Sequence, residues 1–563
     1  MRQPLGCLAL CLFLAAPAYA QGPSARSWQD CLKAPDRACV LDEAIGLVNP
    51  LDNPDRRLAL VAAAAQIWAQ VGEIDRALEL AAQVPDRLFV RIGVLQEIAA
   101  AQARAGHPEQ AEATFGQALQ LADNRKNAMQ RAEALHAIAR AEVAAGMKAA
   151  ADATFDQALQ AAAAVHIVGE KGRVTPPIPE SRLAFLLQEL AMQRAETGDM
   201  AHALQIARSI PSDSQTRARA RARTLLALAD LQTRAGSAAE ETLGDALAAE
   251  HDARSGPVEW SSYRDIGNAV SQSPGDYLLL CGIAKAQARA GLTAKAVATF
   301  DEALRAAQAT MTGFQGRGDA AVAGALVNVS DAQREAGLTA AARETLDRAT
   351  TLAEALTDDR DRAQVLPLLA EMRIKAGDLT PDLFARSLAA ARALQDDRHR
   401  AHALELAARA QANAGLRDDA ARTFAEAAGI AARDGQTLSS IALAQANAGL
   451  RDDAARTFAE AVSVIAQDEQ MLSSIADAQR STGFIAQAAT TFEQSLAVTV
   501  SGDEREKVNR VVLQIHRIAG DRGSELVAAS PTLGVRLVEA AQAVTNPMTR
   551  ADVLLIIART LPN

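Results

Sequence analysis

Ala410 to Ala427 reads AQANAGLRDDAARTFAEA, and Ala444 to Ala461 reads the same residues again, displaced by 34. The register outlasts the identity. Ser439-Ser440-Ile441-Ala442 returns as Ser473-Ser474-Ile475-Ala476, and Phe458 returns as Phe492. A period of that length marks a chain built from one supersecondary unit, each copy burying its apolar face on its neighbours.

The glycine inside the repeat serves as a ruler for the rest. It recurs at Gly72, Gly106, Gly146, Gly198, Gly236, Gly291, Gly337, Gly377, Gly415, Gly449 and Gly483. Seven residues before each stands Ala65, Ala99, Ala139, Ala191, Ala229, Ala284, Ser330, Ala370, Ala408, Ala442 or Ala476, so that position stays small. The residue ahead of it is always Ile, Leu, Val or Ala. After Gly106, Gly146, Gly291, Gly415 and Gly449, Ala follows at +5, Phe at +9 and Ala at +12, a stripe with helical period. This predicts helical hairpins: a first helix ends at a left-handed Gly, and a second begins at once. Small residues let the paired helices approach, and the Phe fills the space against the next hairpin.

Those spacings resemble the tetratricopeptide repeat, carried in one copy by Ile441, Ala442, Gly449, Ala454, Phe458 and Ala461. The resemblance implies an all-α fold, an α-solenoid (superhelix) of stacked antiparallel helical hairpins, spanning 55–500. It departs from the family four residues before the Gly. There the family usually has an aromatic, whereas this chain has Gln102, Gln287, Gln411, Gln445 and Gln479, with Trp68 the only aromatic. Pro85 and Pro211 cut two second helices short, and the turns after Gly236 and Gly377 lose two residues. From 501 to 563 the pattern decays into a helical capping region, with Gly520 a weak twelfth mark.

At the other end, Arg2, an apolar run from Leu5 to Ala16 and Ala18-Tyr19-Ala20 read as a secretory leader over 1–20. The expected destination is the periplasm of a Gram-negative bacterium, or secretion beyond it; abundant Ala and an excess of Arg over Lys fit such a source. No later run is long and uncharged enough to span a bilayer. Residues 21–54 read as an N-terminal helical hairpin or cap. In an oxidising compartment Cys31 and Cys39, flanking Ala34-Pro35-Asp36-Arg37, are placed to form a disulfide. The pair lacks the spacing and nearby His of a redox or metal site. Cys281 reads as a small buried hydrophobe.

Net charge is −10, about −11 once Arg2 leaves with the leader, which disfavours nucleic acid and anionic membrane as partners. Phosphate loops, nucleophile elbows and zinc motifs are missing from the sequence, so neither enzyme nor cofactor is expected. His399 and His402, three apart, read as solvated. The pairs Asp418-Asp419 and Asp452-Asp453 sit where carboxylates meet a helix dipole.

What the resemblance offers instead is an inner face lined by first helices, where this family binds protein or peptide. By position, six before the Gly, the candidates are Arg140, Lys285, Asp331, Glu371, Arg409 and Asp477, a mixed-sign row. Asn413 and Asn447 are placed to hydrogen-bond an extended peptide. The family's carboxylate-clamping set of Lys, Asn and Arg is not found. Two insertions interrupt the array, His166–Pro179 and His251–Asp276, and the second offers Trp260 and Tyr263 as contact residues. The expected function is a partner-binding scaffold or adaptor. Its rivals are a peptidoglycan- or glycan-acting enzyme on a helical superstructure and a self-associating structural protein; the oligomeric state is not read from sequence.

Overall fold

The computed structural model describes residues 27–48, 53–85, 90–165, 178–255, 275–311, 318–378, 381–501, 504–520 and 522–562. The expected leader, Trp260 and Tyr263 lie outside them. The described residues form 28 α-helices and no strand.

The quoted repeat shows how each hairpin is made. Asp434 caps the helix Gly435–Asn447, its Oδ1 accepting from the Gln436 and Thr437 amides at 3.1 Å each. Asp468 does the same one repeat later, accepting from Gln470 at 3.1 Å and Met471 at 3.0 Å. The helix closes where Gly449 turns left-handed at φ 77°, so that Leu450 N–H donates to the Gln445 carbonyl at 2.9 Å. Arg451–Val464 then runs back. All eleven ruler glycines take φ between 71° and 96°. Gly520, the expected twelfth mark, does not; Arg522 takes the left-handed turn there at φ 61°.

The apolar stripe is the core. Phe115, Phe155, Phe300, Phe424, Phe458 and Phe492 are fully buried, and the small residue seven before each Gly is buried in every copy. The glutamines in the family's aromatic position are buried as well. Thr114 Oγ1 donates to Gln102 Oε1 at 2.8 Å across the first such hairpin. The same two buried positions recur as Gln287 with Thr299, Gln333 with Thr345, Gln411 with Thr423, Gln445 with Thr457 and Gln479 with Thr491. The bond itself is made only in the first: the Oε1 of Gln287, Gln333, Gln411, Gln445 and Gln479 is buried without a hydrogen-bond partner, and Thr423, Thr457 and Thr491 donate to the carbonyls of Asp419, Asp453 and Gln487 in their own helices.

Each first helix packs on the first helix of the next hairpin, Glu469–Ser481 reaching Glu504–Ile518 through the Ser473–Gln514 and Asp477–Arg517 side-chain bonds, whereas most second helices reach only their own partner and the following first helix. Helices in contact span a shorter path than helices held apart, so the array curves with the first helices inside.

That curvature carries the chain back to its beginning. Arg37–Val48 packs against Pro547–Ala558 as closely as the two helices of an ordinary repeat. Pro547–Ala558 also touches Pro54–Gln70 on one side and Glu504–Ile518 on the other, taking a first-helix place in the inner layer. The closing hairpin is thus assembled from both chain ends. One hydrophobic cluster runs across the seam, joining Val40, Leu41, Ala44 and Val48 to Ala551, Leu554, Leu555 and Ala558. Arg37 donates to the carbonyls of Ala558 and Leu561 at 2.9 and 2.6 Å, and Arg550 pairs with Glu43 at 3.4 Å. The Cys31–Cys39 disulfide, with its Cα atoms 5.9 Å apart, ties the N-terminal half of this seam. The two end segments therefore close the array into a ring.

Candidate functional site

The inner face is built from the exposed sides of the first helices, and most of the expected row along it is already engaged. Lys285 Nζ reaches Glu335 on the next first helix at 3.0 Å. Asp331 binds Arg334 at 2.6 Å. Glu371 is buried, holding Lys375 at 2.6 Å and accepting from Asn413 Nδ2 at 3.3 Å. Asp477 takes Arg480 at 2.6 Å and Arg517 from the following first helix. Buried Glu405 accepts from Ser440 at 3.0 Å and lies 3.9 Å from Arg409. The Lys285–Glu335 and Asp477–Arg517 ion pairs and the Asn413–Glu371 and Ser440–Glu405 hydrogen bonds stitch one first helix to the next, while Asp331–Arg334, Glu371–Lys375 and Glu405–Arg409 lie within one helix, so the row serves in good part to hold the layer together. Arg140, Arg409 and Asn447 remain exposed on it.

His399 and His402 do not converge. His399 lies 3.1 Å from Asp396, and His402 lies 3.3 Å from Glu405, whose hydrogen bond raises the imidazole above its ordinary value. Among the described residues no group of three or more His, Cys, Asp or Glu could hold a metal, and no helix is long and apolar enough to cross a membrane. Burial pushes the Cys281 thiol up to about 12, which leaves it protonated and inert.

Two grooves open between first helices near the N-terminal side. One, of about 320 Å³, is uncharged, lined by Ala59, Ala62, Ala63, Gln66, Gly93 and Gln96 among others. The second, of about 380 Å³, lies between Ala128–Ala144 and Ile178–Glu196, lined by Glu133, His136, Arg182, Phe185, Leu186 and Glu189. Phe185 is 62% exposed, which is unusual in a chain whose repeat phenylalanines are fully buried. Glu133 and Arg182 pair across this groove at 2.5 Å. His136 is buried against Phe155 with ring centroids 6.5 Å apart, and its Nε2 has no partner. Burial, and then the nearby Arg140 charge, pull its imidazole down to about 4, so it is neutral near pH 7.

Phe185 belongs neither to the row six before the Gly nor to the other contact residues expected from the sequence. The signal was present: Phe185 stands thirteen before Gly198, where the other copies have residues such as Gly93, Glu133, Gln436 and Gln470.

No family model matches this chain, and no curated protein does. Solved structures do match. Ton1535 from Thermococcus onnurineus NA1 is 16% identical, over 64% of this chain and 93% of that one, with a TM-score of 0.23. A structure of Naa15/Naa10 bound to HypK-THB is 14% identical over 89% and 80%, at 0.27. A human IFIT1 dimer with PPP-AAAA is 12% identical over 84% and 100%, at 0.21. Scores this low carry no argument about overall shape or function. The architecture rests on the helix pairs and their packing.

Proposed function

We propose that this chain is an exported scaffold of the tetratricopeptide kind, which holds a protein or peptide partner against the inner face of its closed ring. The observation that carries the reading is the continuous inner layer of first helices. Its thirteen members, twelve from consecutive hairpins and one at the seam, are each in contact with the next. At about 9 Å per helix they give a perimeter on the order of 120 Å, enough to surround an extended segment or a single helix. The repeat spacing supports the family assignment, and the leader-like first twenty residues together with a disulfide at the seam support export to an oxidising compartment. Catalysis has no part in this reading.

Photo-crosslinking in cells tests it, with a photoreactive residue at Arg140 or Arg409 on the inner face, or at Arg422 on a second helix. Capture of one protein from both inner positions and not from Arg422 is expected. Capture confined to Arg422 would place binding on the outer face and refute the reading. Fractionation tests export: the chain should be recovered from the periplasm, cut after Ala20.

A further inference from the structure

The groove between Ala128–Ala144 and Ile178–Glu196 combines three unused capacities. Phe185 presents an exposed ring on its wall. Glu189, one helical turn further along the same face, makes no ion pair or hydrogen bond among the described residues. Below them the Nε2 of His136, itself 91% buried, is unpartnered.

Charge narrows the choice of occupant. The lining carries two carboxylates, Glu133 and Glu189, against one guanidinium, Arg182, which Glu133 already neutralises. One negative charge is left over among the lining residues, with the Arg140 guanidinium one helical turn beyond His136 outside the lining, and it stands beside an aromatic face whose quadrupole also favours a cation. His136 adds no opposing charge, being neutral near pH 7. The protein itself repeatedly lays guanidinium groups over aromatic rings: Arg451 over Phe484 at 4.4 Å, Arg76 over Trp68 at 4.6 Å, Arg480 over Phe492 at 5.6 Å. Phe185 has no such cover among the described residues.

We infer that this groove receives an arginine side chain of the bound partner, its guanidinium over Phe185 and paired with Glu189, its stem along Leu186. A planar guanidinium stacks and forks at once, which an ammonium does not. The inference rests on the inner-face reading and specifies the partner: a segment with an arginine anchor. It makes the Phe185–Glu189 pair the specificity-determining contact of that face.

The test uses the full chain in cells, with a photoreactive residue at Met192, two turns beyond Phe185, and separately at Arg409. The partner fragment captured from Met192 is expected to contain an arginine. Glu189→Gln and Phe185→Ala should each lower that yield by about fivefold or more. Changing the partner arginine to alanine should do the same, with no further loss when combined with Glu189→Gln. Both variants change exposed or half-buried side chains, and circular dichroism checks that they fold. Capture at Arg409 but not at Met192, a fragment without arginine, or yields indifferent to both variants would overturn the groove while leaving the inner-face reading standing. Capture at neither position would sink both.

Discussion

The Arg37 guanidinium donates its Nε–H to the carbonyl of Ala558 at 2.9 Å, joining residues 521 apart in the chain. Its Nη2 adds a second bond, to Leu561. A charged donor bonded to carbonyls that nothing else caps contributes more than a neutral one, so Arg37→Ala should cost the seam about 2–4 kcal/mol. Amide hydrogen exchange reads this directly. Protection should fall in Arg37–Val48 and Pro547–Ala558 and stay unchanged in Gly435–Asn447. Equal loss throughout would mean that the seam is not a separate cooperative unit.

The disulfide reinforces the same seam. It links residues eight apart in the chain, and its removal should lower seam stability by about 2–3 kcal/mol on the chain-entropy account. Reductant should therefore expose Cys31 and Cys39 to alkylation while Cys281 stays unmodified until global unfolding. Labelling of Cys281 at the same rate would contradict its placement in the core.

The turn glycines set a paired expectation. Gly449 at φ 77° holds a backbone shape that L residues adopt at a cost, so Gly449→Ala should destabilise its hairpin by about 1–2 kcal/mol. Gly116 lies inside the helix Pro108–Asp123, where an added Cβ meets nothing within 4 Å. Gly116→Ala should stabilise by up to about 1 kcal/mol. Denaturant melts of the two variants should move in opposite directions.

Acid should loosen the groove region. The His136 imidazole is depressed from 6.5 to about 4 in the folded chain, so between those values the unfolded chain binds a proton that the native chain refuses. Stability is full above pH 6.5, falls as pH drops through the window, and levels off below about 4. The whole window amounts to about 3 kcal/mol, and His136→Leu should abolish that portion. Melts at pH 7.5 and 5 that respond equally in both proteins would contradict it.

Much of this architecture is legible in the residues, because some positions admit few side chains. A left-handed turn selects Gly and a helix crossing selects Ala, so Gly449 and Ala442 announce the hairpin. The Gln102–Thr114 bond is half legible: Gln102 stands out as a departure, but Thr114, eight after the Gly, is hidden beside the Phe that follows it. Ring closure is not legible, because Arg37 and Ala558 share no periodicity, and their contact depends on curvature accumulated over every intervening hairpin. The ion pairs of the inner row are hidden for a related reason. Lys285 and Glu335 look like free surface charges until two helices are known to lie side by side, and Phe185 looks like core until its face is known to point inward.

The central claim is that the two chain ends meet. Pulsed electron resonance between spin labels at Lys33 and Arg559, both exposed beside the seam, measures it most directly. The closed ring predicts one narrow population at no more than about three helix diameters, roughly 30 Å. An open array of a dozen hairpins would set the labels far apart, on the order of 100 Å at about 9 Å per hairpin. A broad distribution at such distances would contradict closure, and with it the enclosed inner face.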